Sequence, residues 1–219
     1  MTSRIKVILV DDHAVVRAGF RMLLATDAGI EVVGEAEKGE AACQLYLETQ
    51  ADLMVLDLSM PGIGGLETIR RICNRDSQAK ILVFSVHDER VYVDRAMGAG
   101  AKGYITKHAH PVILIDAIKK IFAGEVYIQQ GLIGNTGLVS DKFETTEADY
   151  KLVIESFSAR EFDVFLLLAR GLTAHKIADE LCLGYKTIAN YGTQIRSKLK
   201  VSSVAELAHI ALVLGVMKN

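Results

Sequence analysis

The sequence predicts an α/β domain, a doubly wound five-stranded parallel sheet, followed by a small all-α domain. Three observations carry this. Over the first 124 residues, five short apolar runs alternate with stretches of helical periodicity. Most of the runs are continuous rather than alternating, which implies burial on both faces and hence a parallel sheet. After Phe157 the strand signals stop and the pattern is helical throughout.

The expected strands are Ile5–Val10, Glu31–Glu35, Leu53–Leu56, Ile81–Phe84 and Gly103–Ile105. Between and after them lie helical stretches at Ala14–Ala25, Glu40–Thr49, Leu66–Cys73, Arg90–Gly98 and Pro111–Phe122. In the last, Val112, Ile115, Ile118, Lys119 and Phe122 recur at helical spacing, and Pro111 suits a first turn. Residues 125–155 read as a linker, with Gly131, Gly134 and Gly137, a short helix near Gln129–Leu138 and an acidic stretch at Asp141–Asp149. This divides the chain into 1–124, the linker 125–155, and 156–219. In the last part, Ser158 and Glu161 fit a capping box that starts a helix ended by Gly171. Thr173 caps the next helix, Leu181–Gly184 forms a short turn, a longer helix runs Tyr185–Leu199, and Ser202 or Ser203 caps a final one.

Composition narrows the class. Half of the 219 residues are apolar and only two are proline, as in a compact chain with a real core. No apolar run approaches the ~18–20 residues that span a bilayer, and the N-terminus lacks the pattern of a secretory signal. Cys43, Cys73 and Cys182 are odd in number, widely spaced and without zinc spacing, so a reduced cytoplasmic setting is expected. Residues 156–219 carry eight Lys/Arg against five Asp/Glu, making this the mildly basic end of a chain whose net charge is −2.

The chemistry gathers at strand ends. Asp11-Asp12 closes the first run, Asp57 the third, Ser85 follows the fourth, and Lys107 lies just past the fifth. In an open parallel sheet these ends share one crevice. Carboxylates so close repel, and each resists ionising unless a cation joins them. Oxygen-only ligands suit Mg2+, which takes one or two carboxylates plus a phosphate. Asp57 could then act as a nucleophile toward a phosphoryl group, with Lys107 paired to one phosphoryl oxygen and Ser85 donating to another. Taken singly, each of these residues reads more simply as a loop cap or a surface charge; only the joint placement argues otherwise.

Val10-Asp11-Asp12-His13, Leu56-Asp57-Leu58-Ser59-Met60-Pro61-Gly62 and Gly103-Tyr104-Ile105-Thr106-Lys107 resemble, in order and spacing, the signatures of the flavodoxin-like receiver domain of response regulators. The resemblance implies Asp57 as phosphoacceptor for a sensor histidine kinase, magnesium held by Asp11, Asp12, Asp57 and the Ser59 carbonyl, and Lys107 on the phosphoryl group. It makes Ser85 and Tyr104 a switch pair, Ser85 drawn inward by phosphate and Tyr104 following into the vacated space. His108 stands where many receivers carry a cis-proline.

Two short helices joined by a turn read as a helix-turn-helix. On Tyr185–Leu199 the inward stripe is Ile188, Ile195 and Leu199 with Tyr191 or Gly192, leaving Lys186, Ala189, Asn190, Thr193, Gln194 and Ser197 outside. Such polar side chains are what a major groove can use: Asn190 for an adenine edge, Thr193 for a thymine methyl, and Lys186, Thr187, Arg196 and Lys198 for phosphates. Phe157–Glu161, Ala169–Thr173, Lys176–Leu181 and Lys186–Ile188 look like the LuxR-type effector domain, and the whole chain is similar to the NarL/FixJ subfamily of response regulators. That resemblance implies a cytoplasmic transcription regulator, masked until phosphorylated, that acts on promoter DNA with RNA polymerase. Val204, Ala208, Ala211 and Leu212 form a stripe on the final helix that would pair two copies, giving a homodimer on an inverted repeat. The chain departs from the family at Gly184, where Ser is common, at Ala189 (often Lys) and at Tyr191 (often His). The competing readings are a helical domain that acts through protein contacts, a haloacid-dehalogenase-type phosphatase and an FMN binder. The phosphatase needs an Asp where Ser59 stands, and the FMN binder needs a Ser/Thr-rich phosphate loop.

Overall fold

A computed structural model describes residues 4–132 and 144–217. Two compact units divide between Gly134 and Asn135.

The first unit is a parallel sheet wound by helices on both faces. Its strands are β1 (Ile5–Val10), β2 (Ile30–Ala36), β3 (Leu53–Leu56), β4 (Ile81–Ser85), β5 (Gly103–Thr106) and β6 (Tyr127–Ile128), in the order β2-β1-β3-β4-β5-β6 with every pairing parallel. Five were expected; the sixth is a two-residue edge strand, too short and too little buried to leave an apolar run. The helices are α1 (Ala14–Leu24), α2 (Gly39–Thr49), α3 (Gly64–Arg75), α4 (Arg90–Gly98) and α5 (Pro111–Phe122). The continuous runs behave as the burial argument requires, since all of β3, β4 and β5 is buried. On one face Val7, Leu9, Leu53, Val55, Leu82, Phe84 and Ile105 meet Leu114, Ala117, Ile118 and Ile121 of α5. Phe20 of α1 packs edge-on against Phe84, with ring centroids 4.5 Å apart.

The second unit is helical: α6 (Glu144–Glu155), α7 (Ala159–Ala169), α8 (Ala174–Glu180), α9 (Tyr185–Leu199) and α10 (Val204–Val213). The span read as a linker therefore carries β6 near its start and α6 at its end. Most of the short helix expected near Gln129–Leu138, and the start of the acidic stretch, lie outside the described residues. Both capping boxes form, Ser158 with Glu161 and Ser203 with Glu206, which settles the final cap on Ser203. Phe157, Phe162 and Phe165 are fully buried and centre the core, with Ile177, Ile188, Ile195, Leu199, Leu207 and Ile210 around them. Ala211 is also buried, so it leaves the outward stripe expected on α10. Of that stripe, Val204 and Leu212 are exposed and Ala208 is half-buried.

Candidate functional site

Backbone ladders run past the strands and hold the site residues in register. The Asp11 amide donates to Ala36 O at 3.1 Å, the Asp57 amide to Val10 O at 2.9 Å, and the Lys107 amide to Ser85 O at 2.7 Å. These bonds fix Asp11, Asp57 and Lys107 at one end of the sheet, and Lys107 bridges the two carboxylates. Its Nζ lies 2.6 Å from Asp11 Oδ2 and 2.8 Å from Asp57 Oδ2. All three are largely removed from water, with side-chain exposures of 14%, 5% and 3% for Lys107, Asp11 and Asp57. The peptide bond after Lys107 is trans, so His108 is accommodated in the ordinary way.

Charge balance is the main property of the cluster. Burial pushes the Asp57 carboxyl above its usual range, despite Lys107 pulling it down, and Asp11 pushes it up further. Burial also opposes the Lys107 charge, but Asp57 and Asp11 outweigh it and hold the ammonium protonated more firmly than usual. Both directions follow from one fact: two buried carboxylates share one cation. Asp12 adds a third carboxylate beside them. Its Oδ1 lies 2.8 Å from His13 Nδ1 yet is buried without an aligned hydrogen bond. Donor atoms of Asp11, Asp12 and His13 fall within 4.8 Å of one another. Two adjacent carboxylates, one with an unbonded buried oxygen, could hold a metal ion.

The walls of the site are built by neighbouring loops. The Ser59 amide donates to Asp57 Oδ1 at 3.3 Å, and Ser59 Oγ lies 2.9 Å from His87 Nε2. Gly65 lets α3 approach closely. A Cβ there would stand 2.4 Å from Asp57 O and 2.5 Å from Leu58 Cα, so a larger residue would move the backbone that carries Asp57. Ser85 is fully buried at the end of β4. Tyr104 is fully buried too, and its hydroxyl donates to His87 O at 2.9 Å. Tyr104 is therefore inward in this structure, its ring under the β4–α4 loop and its hydroxyl on a carbonyl there. Two residues of this neighbourhood escaped the sequence reading. Arg17 of α1 donates to Asp11 O at 2.6 Å and pairs with Glu35 at 3.4 Å. His87 stacks on Tyr92 with centroids 3.9 Å apart. An Arg within the apolar helix α1, and a His just past a strand-end Ser, were the available signals.

In the second unit, α9 buries Ile188, Gly192, Ile195 and Leu199, so Gly192 rather than Tyr191 completes the stripe. Lys186, Thr187, Asn190, Thr193 and Gln194 are exposed, and Ala189 and Arg196 are half-buried. Thr193 Oγ1 donates back to Ala189 O at 3.0 Å, which leaves its methyl outward. The Arg196 guanidinium lies over Gly192, 3.6 Å from where a Cβ would stand. Lys198 is held differently: its Nζ lies 2.5 Å from Glu161 Oε1 and 5.4 Å from the centre of the Phe157 ring.

Comparison with known proteins agrees with this geometry. The family model described as the response regulator receiver domain matches residues 7–119, and that described as bacterial regulatory proteins, luxR family, matches residues 155–211. The chain is 38% identical over 212 residues to the transcriptional activator protein ExaE of Pseudomonas putida, covering 97% of this chain and 98% of ExaE. It is 38% identical over 208 residues to the response regulator UvrY of Escherichia coli K12, covering 95% and 94%. A solved structure of two RcsB dimers bound to two parallel DNAs shares the fold, with a TM-score of 0.60 at 23% identity over 97% of this chain and all of that one. With one unit shaped as a receiver and the other as a LuxR-type helix-turn-helix, the chain belongs to the NarL/FixJ-type response regulators of two-component signalling: DNA-binding transcription regulators rather than enzymes.

Proposed function

We propose that Asp57 is the phosphoacceptor and that its phosphorylation by a sensor histidine kinase controls DNA binding by the second unit. The observation that carries this is the buried, charge-unbalanced cluster in which Asp57 and Asp11 share Lys107. A carboxylate raised in energy by burial and by a neighbouring anion is ready to react with an electrophilic phosphorus. Asp11, Asp12, Asp57 and the Ser59 carbonyl would hold Mg2+, whose chemistry there is to neutralise charge on the transferred group. Lys107 then shifts from bridging two carboxylates to pairing with a phosphoryl oxygen, and Ser85 donates to another. Tyr104, already inward, couples this change to the β4–α4 loop through the His87 carbonyl. Receiver and effector domain are read as 1–124 and 156–219, with the span 125–155 between them adding β6 to the receiver's sheet and α6 to the helical unit.

Asn190 and Thr193 read bases from the major groove, between Ala189 and Gln194, while Lys186, Thr187 and Arg196 contact phosphates. Lys198 has the weakest claim among these, being held by Glu161. Two copies bind as a homodimer on an inverted-repeat promoter site and act on RNA polymerase in the cytoplasm; among the described residues no helix is long and apolar enough to cross a membrane. Mass spectrometry of the chain with acetyl phosphate and magnesium tests the first step. One phosphoryl group should appear in wild type and none in Asp57→Ala. Equal labelling of the variant places the acceptor elsewhere.

A further inference from the structure

The N-terminal turn of α9 carries an arrangement that the groove-reading residues do not include. Tyr185, its first residue, is 49% exposed, and its ring stacks on His175 of α8 with centroids 4.3 Å apart and planes 19° from parallel. His175 is itself exposed. Neither ring belongs to the core, and among the described residues the Tyr185 hydroxyl has no hydrogen-bond partner. The pair ties together the two helices of the helix-turn-helix on the outside, where each ring immobilises the other without burying either.

Position on the helix decides what Tyr185 can reach. The buried stripe Ile188–Gly192–Ile195–Leu199 defines the inward direction. At ~100° per residue Asn190 projects nearly opposite to it, toward the groove floor. Tyr185 lies at the edge of the inward face, about 50° from the stripe, on the side of Ala189, which is one turn further on and too short to reach past the ring. A long, half-exposed aromatic side chain at that edge extends beyond α9 toward the wall of a major groove, where the sugar-phosphate backbone runs. Tyrosine hydroxyls are among the donors that position a protein on phosphates without reading sequence. Stacking on His175 restricts the ring before DNA arrives, so less rotamer entropy is lost on contact.

We propose that Tyr185, splinted by His175, is a positioning residue of the DNA interface whose phenol donates to a backbone phosphate on the groove wall. This rests on the reading of α9 as the groove-entering helix. It distinguishes Tyr185 from the cationic contacts. A neutral donor displaces no counterion, so it contributes affinity without contributing to the salt dependence.

The test uses the full chain treated with acetyl phosphate and magnesium, and a duplex that wild type selects from a random pool. Tyr185→Phe keeps the ring stack and removes only the hydroxyl. It should weaken binding about threefold to tenfold, the range of one neutral hydrogen bond. The loss should be equal on selected and random-sequence duplexes, and the slope of log affinity against log salt should stay unchanged. His175→Ala should weaken binding to a similar or smaller degree at unchanged thermal stability, and His175→Phe should restore it by rebuilding the stack. Wild-type affinity in Tyr185→Phe overturns the proposal, as does a changed salt slope or a loss confined to one base position. If wild type selects no sequence and binds no duplex, the groove-entering reading of α9 falls, and this inference with it.

Discussion

Replacing Lys107 with methionine isolates the charge at the centre of the receiver. Methionine keeps most of the side-chain volume and removes the ammonium that lies 2.6 Å from Asp11 and 2.8 Å from Asp57. Both carboxylates stay almost wholly buried, with residue exposures of 4% and 3%, and face each other without a cation. Breaking a buried pair by removing one partner costs about 3–5 kcal/mol. A second route gives the same size. The cheapest relief is to protonate one carboxyl, and holding an ordinary aspartate protonated at about pH 7 costs roughly 4 kcal/mol. For a unit of this size that is a fall in melting temperature of about 10–15 °C.

Calorimetry of the full chain without divalent cations reads this on the transition that responds to magnesium. Acidification should narrow the gap between variant and wild type by about 1.4 kcal/mol per pH unit, because the replacing proton becomes cheaper to bind. Millimolar magnesium should raise the variant's transition more than the wild type's, since the variant has more unbalanced negative charge. A variant within about 1 kcal/mol of wild type would refute the charge-sharing argument, being far below the cost of stranding a buried charge. A larger loss that ignores pH would point to packing instead.

Asp57→Asn should stabilise the chain at neutral pH without magnesium. Burial raises the Asp57 pKa, so the folded form binds the proton more tightly than the unfolded form. Stability is therefore lost as pH rises from the ordinary carboxylate range through the raised value. Asparagine escapes that loss, so urea titrations should show its advantage near about pH 7.5 and none below the carboxylate range; an advantage that grows on acidification would reverse the sign of the argument. Glu161→Gln should destabilise the helical unit by about 1.5–3 kcal/mol, the worth of a charged hydrogen bond. Burial works against the Glu161 charge, but Lys198 and the Ser158 cap outweigh it and lower its pKa. The deficit should thus fade as pH falls through that lowered value, and thermal melts across acid pH would show whether it does. Lys186→Ala should weaken all DNA sequences alike and reduce the salt slope by about one, whereas Asn190→Ala should relax one position per half-site. A selected motif unchanged by Asn190→Ala would place the groove-facing side of α9 elsewhere.

The sheet and the helical unit were legible in the sequence because burial on both faces writes a continuous run, and a cap writes a Ser followed three residues later by Glu. Strand-end placement likewise exposed Asp11, Asp57, Ser85 and Lys107, since a charged residue that terminates an apolar run has few positions available. What stayed hidden has little or no pattern of its own. Tyr127–Ile128 is too short to be periodic. Ala211 and Val204 are both apolar, and the packing of α10 against α7 decides which is buried. Arg17 reaches Asp11 across a loop, six residues away in sequence, through a main-chain carbonyl that no side-chain pattern records.

The position of Tyr104 bears on what phosphorylation can change. A ligand or modification shifts an equilibrium only through a difference in affinity between the two states. If the ring were outside in the resting protein, its inward movement could supply that difference. Here the ring is inward, and its hydroxyl is tied to the His87 carbonyl. His87 in turn touches Ser59 through its imidazole and stacks on Tyr92 of α4. Ser59 donates its amide to Asp57. A closed path of contacts therefore runs from Asp57 through Ser59 and His87 to Tyr104 and α4. If Asp57 is the phosphoacceptor, phosphate there competes for the Ser59 amide and for Lys107, and both changes load this path from the Asp57 end. With Tyr104 already inward, the β4–α4 loop is the element through which such a load would reach α4.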